Sequence, residues 1–221
     1  DRLVAMGLGA TGIAADVVER QADSHVVLDG TTVSADGSVT ITSTSRVAAN
    51  PTATAKPQEK TQGVVNKLGG TQVAVAVGVA ESDVSAQLKG ATKIDAKGDV
   101  TVLANGEATI KGAAKADATS TTTGTGENAT SNNDARALAA IVGVLDLAVS
   151  ATTEVGTSVV SRAGSVNIQS KGKTEFAQKA EVGTEGDVNK VLSASVAIDT
   201  ATITTNVQGT VLAAPTGGDT G

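Results

Sequence analysis

Cysteine, tryptophan and tyrosine are absent from this 221-residue chain, and Phe176, Met6 and His25 are each the single residue of their type. Lack of cysteine excludes disulfides and thiol chemistry and suits an exported bacterial protein. Aromatic rings each bury roughly 150–250 Å², so a chain nearly without them needs a thin interior of Val, Ile, Leu and Ala. One imidazole and no thiol remove most candidates for serine–histidine or cysteine–histidine catalysis. No apolar run reaches the roughly 20 residues of a membrane-spanning helix. Basic clusters are missing as well. With 17 Lys and Arg against 23 Asp and Glu, the formal net charge of −6 argues against nucleic acid as a partner. Asp1-Arg-Leu-Val has no signal-peptide anatomy, and Ala214 to Gly221 stops on a turn-like segment, so the chain is read as a piece of something longer.

What is abundant is Val, Thr, Ala, Gly and Ser, a mixture that favours a pleated surface over a helical bundle. Val73, Val75, Val77 and Val79 alternate with Ala74, Ala76 and Gly78, the period of a strand. One face is Val. The other is small enough for a second layer of backbone to lie against it. The alternation changes parity between Val79 and Val84, which predicts a bulge or corner near Glu81-Ser82.

The chain repeats. Leu28 to Ile41, Leu88 to Val102 and Val155 to Ile168 share the pattern Gly-x-x-(Val/Ile)-x-Ala-x-Gly-x-Val-x-(Val/Ile), and Val207 opens a fourth copy. Gly30, Gly90, Gly156 and Gly209 stand 60, 66 and 53 residues apart; Gly37, Gly98 and Gly164 stand 61 and 66 apart. Fixed steps of this kind are the signature of repeat architectures. Each repeat has a long apolar segment (Leu3 to Leu28, Val73 to Leu88, Leu138 to Val155, Val191 to Val207). The doubled motif follows, read as two short strands joined by a turn whose glycines supply positive φ. A polar, variable segment comes last (Ala48 to Gly63, Ala116 to Asp134, Ala177 to Asp187). Ala135 to Leu147, with Asp134 as N-cap, and Met6 to Arg20 could each form a helix. Both occupy the slot of the Val73–Val79 strand, and strand is the reading adopted.

The expected fold is therefore all-β: a parallel β-helix, or β-solenoid, of ~60-residue repeats with lateral loops. Residues 1–221 form one array with approximate repeats 1–62, 63–134, 135–187 and a truncated 188–221. Stacked coils about 4.8 Å apart suit a narrow interior. Tandem small β-sandwiches are the alternative, though their thicker cores usually recruit aromatics.

At Gly-x-x-Val-x-Ala-x-Gly-x-Val-x-Ile the chain resembles the repeat regions of giant bacterial surface adhesins of the filamentous-haemagglutinin type. A Val/Ala strand followed by Ala-Lys-Gly-Asp-Val-Thr-Val is similar to repeats of leukotoxin-type filamentous adhesins. The resemblance covers nearly the whole chain in rhythm. It implies an extracellular, rod-like β-helix at the bacterial cell surface, acting as stalk or fibre. The secretion signature of the haemagglutinins belongs to an N-terminal domain not found in this sequence.

Residues able to carry chemistry are few. His25 has no second His or Cys with which to hold a transition metal and reads as a surface or strand-edge residue. The carboxylate pairs Asp16/Glu19, Glu81/Asp83 and Glu185/Asp187 could serve a polysaccharide-cleaving groove only if they converged in space. Gly217 to Gly221 is a single fragment of a calcium-binding nonapeptide and reads as a turn. Thr40/Thr42, Thr52/Thr54 and Thr202/Thr204 resemble ice-binding rows but do not recur at one place in every repeat. Asn128-Ala-Thr130 fits an N-glycosylation acceptor. No catalytic, cofactor or metal site is assigned, and no enzyme activity is expected. The expected function is structural: a rod- or fibre-forming segment of an extracellular adhesin. Its partners are neighbouring repeats or copies of itself, with a host-cell or matrix ligand able to use the loops. The alternatives are a β-helical polysaccharide-degrading enzyme and an adhesion module whose binding is carried by residues 116–134.

Overall fold

A computed structural model describes residues 2–8, 11–56, 71–123, 130–132, 135–186, 188 and 190–214. Every regular element among them is a strand. Three parallel sheets carry the molecule, and each repeat gives one run of strand to each sheet it reaches. Sheet A holds β2 (Thr11–Gln21) and its continuation β3 (Ser24–Asp29), then β7 (Thr71–Lys89), β12 (Arg136–Thr153) and β15 (Lys190–Val207). Sheet B is short: β4 (Thr32–Ala35), β8 (Lys93–Ala96), β13 (Ser158–Ser161) and β16 (Thr210–Ala213). Sheet C holds β5 (Val39–Ala49) with β6 (Thr52–Ala55), β9 (Val100–Thr119) and β14 (Val166–Glu185). Two local hairpins add to these. β1 (Arg2–Leu8) lies antiparallel along β2, and β10 (Thr121–Thr123) pairs with β11 (Thr130–Asn132).

Equivalent residues of successive repeats stand side by side. Val39 pairs with Val100 and Val100 with Val166; Val77 pairs with both Val17 and Val142, and Val142 with Val196. In the three large sheets nearly every strand bonds only to strands of other repeats. Tandem sandwiches would instead build antiparallel sheets within each repeat.

The interior is a wedge. Its wide end is enclosed by all three sheets and filled by Leu88, Ile94, Val102, Leu145, Leu147 and their neighbours. Its thin end, between the start of the sheet A strands and the end of the sheet C strands, is almost all alanine: Ala74, Ala76, Ala114, Ala116, Ala139 and their kin, with Ile141. Alanine and glycine hold the two backbones close. A Cβ at Gly78 would come within 3.1 Å of Pro51 and 3.2 Å of Ile110, and one at Gly112 within 2.8 Å of Ile141. The one aromatic, Phe176, takes the place held by Ile110 a coil earlier and lies over Gly143, where a Cβ would stand 3.0 Å from its ring.

The small face of β7 does take the opposing backbone, but the bulge or corner expected near Glu81-Ser82 is not found. In β7 the even-numbered residues face inward from Gln72 to Leu88, and the strand runs through Glu81-Ser82 without a break. No bulge lies there. The small face of Ala74, Ala76, Gly78 and Ala80 is the inner one, and Val73 to Val79 point out. Valine lines the interior only where sheet B holds sheets A and C apart.

Two further expectations need correction. The second strand of the doubled motif is long: β9 and β14 each run 20 residues, carrying Ala116–Thr119 and Ala177–Glu185 into the sheet, not into loops. The two glycine ladders also differ in purpose. Gly30, Gly90 and Gly156 have φ of 58°, 59° and 91°, a region that suits glycine; Gly209, expected to be the fourth, has no positive φ and lies level with Thr157. Gly98 and Gly164 have no positive φ either. They are needed because neighbouring repeats touch there: a Cβ at Gly164 would lie 2.8 Å from Asp99 N and 2.9 Å from Gly98 C. Gly37, at the same place in the first repeat, has open space.

The segments 136–147 and 6–20 are strand over all their described residues, and Asp134 lies outside them. Residues 57–70, 124–129, 187 and 215–221, and with them Asn128, Asp187 and Gly217–Gly221, lie outside the described residues.

Candidate functional site

Buried polar groups belong mostly to the scaffold. At Ala22-Asp23, where β2 gives way to β3, Asp83 N turns to Asp23 Oδ1, and inward serines bond the carbonyls beside the break. Ser45 Oγ donates to Ala22 O at 2.8 Å, Ser43 Oγ donates to Ser24 O at 2.6 Å, and Ser82 Oγ donates to Ser45 Oγ at 3.0 Å. At the corner before sheet B, Thr92 and Thr157 occupy the same place one coil apart. Thr92 Oγ1 donates to Lys89 O and Thr157 Oγ1 to Glu154 O, at 2.7 and 2.8 Å. A polar group buried without a partner costs about 1–3 kcal/mol, which is why these hydroxyls recur where the ladder is interrupted.

His25 lies exposed on β3, and its Nδ1 shares a hydrogen bond of 2.9 Å with Ser85 Oγ on β7. Asp23 and Asp83 flank the pair, with Asp23 Oδ1 accepting from Asp83 N at 3.0 Å. The composition resembles a hydrolytic triad, but the arrangement lacks one requirement. Ser85 is only 4% exposed beneath the imidazole, so no substrate carbonyl can reach its oxygen. Among the described residues, the carboxylate pairs Asp16/Glu19 and Glu81/Asp83 do not converge into a groove. Asp16 points inward and accepts from Thr52 N at 2.6 Å, whereas Glu19 points outward. Glu81 and Asp83 share the outer face of β7. Among the described residues no group of three or more His, Cys, Asp or Glu side chains is placed to hold a metal ion, and no helix is long and apolar enough to cross a membrane.

The outer faces of the sheets differ, and that difference is the main surface feature. Sheet C is charged outside. Arg46, Glu107 and Lys173 stack on successive strands, and Lys173 Nζ lies 3.2 Å from Glu107 and 3.0 Å from Glu175, which also meets Lys111 at 3.4 Å. Hydrogen bonds from Lys173 and then Lys111 hold the Glu175 carboxyl below its usual range, and the bonds of Lys173 to Glu175 and then Glu107 raise the Lys173 ammonium above its own. Sheet B carries the Asp95–Arg162 pair.

Sheet A is apolar outside. Val17, Val77, Val142 and Val196 form one column across four strands, and Ile13, Val73, Leu138 and Leu192 form the next but one. Between them runs a column of three alanines and one valine: Ala15, Val75, Ala140 and Ala194. A fourth column, Glu19, Val79, Val144 and Ile198, holds the only charge in this grid. Val17, Val196 and Ile198 are 52%, 47% and 49% exposed. The grid ends in polar borders: Thr71, Arg136 and Lys190 where the strands begin, and Gln21, Glu81, Asp146 and Thr200 further along. Residue-by-residue reading missed this surface, because each strand alone shows only two faces. The signal was present at the repeat offset, which brings valine onto valine. Compared with protein-family models, curated proteins and solved structures, the chain matches none.

Proposed function

We propose that this chain is a rod-forming segment of a bacterial extracellular adhesin or surface filament, folded as a parallel β-helix, and that its role is mechanical. The observation that carries the reading is the in-register stacking of equivalent residues from successive repeats in all three parallel sheets. Such stacking spreads stability over neighbouring coils and adds length at about 4.8 Å per coil. The chemistry fits the role: the side chains that recur from coil to coil are corner glycines, corner threonines and core aliphatics. The inner face of β15, with Val191 53% and Ile203 49% exposed, is a surface that a further coil would cover.

The test has two parts. Arrays with more repeats, imaged by electron microscopy, should lengthen in proportion to coil number; round particles or separate beads overturn the helix. An antibody against this segment should label intact cells that make the protein, and protease treatment of those cells should remove the label. Labelling only after lysis overturns the surface location.

A further inference from the structure

We infer that the outer face of sheet A is the seat of a second copy of this chain, packed back to back with its strands reversed. The inference needs the four-coil sheet but not the adhesin reading, so each can fail without the other.

Three observations carry it. All-parallel sheets are ordinarily covered on both faces, and strands covered on both faces read as continuous apolar runs. β7 and β12 read that way, as Val-Ala-Val-Ala-Val-Gly-Val-Ala and Leu-Ala-Ala-Ile-Val-Gly-Val-Leu, while the outer face of sheet C in the same molecule is charged. Next is area. Four strands about 4.8 Å apart, with six outward positions about 6.7 Å apart, cover roughly 750 Å². A specific complex buries about 800 Å² on each partner. The apolar grid supplies the centre of such an interface and its polar borders the rim.

Charge selects the occupant and its orientation. The outward residues of β12 run Arg136, Leu138, Ala140, Val142, Val144, Asp146. A two-fold axis along the stack reverses the strands and lays Arg136 of each copy over Asp146 of the other. It also sets the column containing Ala140 against the Val142 column, small against large. An anionic membrane fits this surface poorly, because Glu19, Glu81 and Asp146 lie in or beside the apolar grid and would face its phosphates.

Sedimentation equilibrium of the whole chain, from low to high micromolar concentration, tests the interface. A dimer is expected. Val142→Glu should convert it to monomer with an unchanged far-UV strand signal, and Thr42→Glu on the exposed outer face of sheet C should leave it dimeric. Should Val142→Glu disturb folding, the rim supplies a second test. Arg136→Glu and Asp146→Arg should each weaken the dimer about 10-fold or more, and mixing the two variants should restore it, since opposite charges then face each other at both ends. A monomer at every concentration, a dimer indifferent to both sets of variants, or binding to anionic vesicles without self-association overturns the proposal.

Discussion

Arg162 on the turn after β13 reaches back one coil to Asp95 on β8, its Nε donating to Asp95 Oδ1 at 2.7 Å while a second guanidinium nitrogen meets the other carboxylate oxygen. The pair is exposed, and pairs of this kind contribute modestly to stability. Its value here is as a reporter of contact between the second and third coils.

The hydrogen bond from Arg162 holds the Asp95 carboxyl below its ordinary value. A group whose folded pKa is depressed stabilises fully above the unfolded value, about 3.9, and loses that contribution as pH falls through the lower folded value. Glu175 behaves likewise. Lys173 acts at the alkaline end: its share is complete below about 10.4 and fades as pH climbs through the raised folded value. Thermal midpoints of the wild type and Arg162→Ala should therefore differ at neutral pH and converge below about pH 4. A gap that stays constant into strong acid contradicts this assignment.

The inner glycines give a graded series. Gly37→Ala meets open space at an ordinary φ and should be neutral or stabilise by about 0.4–1 kcal/mol through the unfolded chain. Gly164→Ala forces backbone apart and should cost roughly 1–3 kcal/mol. Gly98→Ala, whose closest neighbour is the movable Ser38 hydroxyl, should fall between. Urea midpoints rank the three, and equal costs would refute stacking contact as the reason for glycine at this place.

The two ends of the wedge should respond oppositely to side-chain volume. Leu147→Ala empties the wide end and should cost about 2–5 kcal/mol. Ala139→Leu crowds the thin end and should cost about 1–3 kcal/mol, although it adds apolar surface. Chemical denaturation of both variants checks the taper; tolerance of leucine at 139 would mean that the sheets are free to separate.

Pro51 interrupts sheet C without shifting it, since β6 resumes the register of β5 against β9. Proline has no N–H to give. Asn50, with its amide nitrogen turned toward β9, donates to Lys111 O at 3.2 Å, the carbonyl that a residue-51 N–H would have reached. Asn50→Ala should then cost about 1 kcal/mol. The double variant Asn50→Ala with Pro51→Ala should recover that loss by restoring the backbone donor, as measured by urea denaturation.

Much of the fold was legible because glycine and alternation report local geometry. The leading ladder, Gly30, Gly90 and Gly156, marks one corner in three coils, and the strand reading of 135–147 rests on the same spacing. Alternation does not say which face turns inward. That choice for Val73–Val79 is made by Ile110, Gly112 and Ala114 on the opposing sheet, far away in sequence, which leave room only for the small face; Val84 lies on that same inward face, so its change of parity needs no corner at Glu81-Ser82. The polar ends of β9 and β14 looked like loops because Asp117, Thr119, Lys179 and Glu181 are outward alternates of strands whose inner face there is small or polar: Ala116 and Ala118 in β9, Gln178 and Ala180 in β14. The outer apolar grid escaped notice for a related reason: Val17, Val77, Val142 and Val196 become neighbours only after the offsets between coils are known.

Those offsets carry a last consequence. Along β2, β3 and β7 the partners stand 60 residues apart, but 61 apart along β4 and β8; between β8 and β13 the step is 65, and between β9 and β14 it is 66. Odd changes of length thus occur at the bends on either side of the short strand and nowhere within a run of paired residues. A strand has a two-residue reading frame, in which one inserted residue would turn every later side chain inside out. The bends are where that frame is reset, and single-residue insertions or deletions in this chain should be tolerated at the bends and rejected between them.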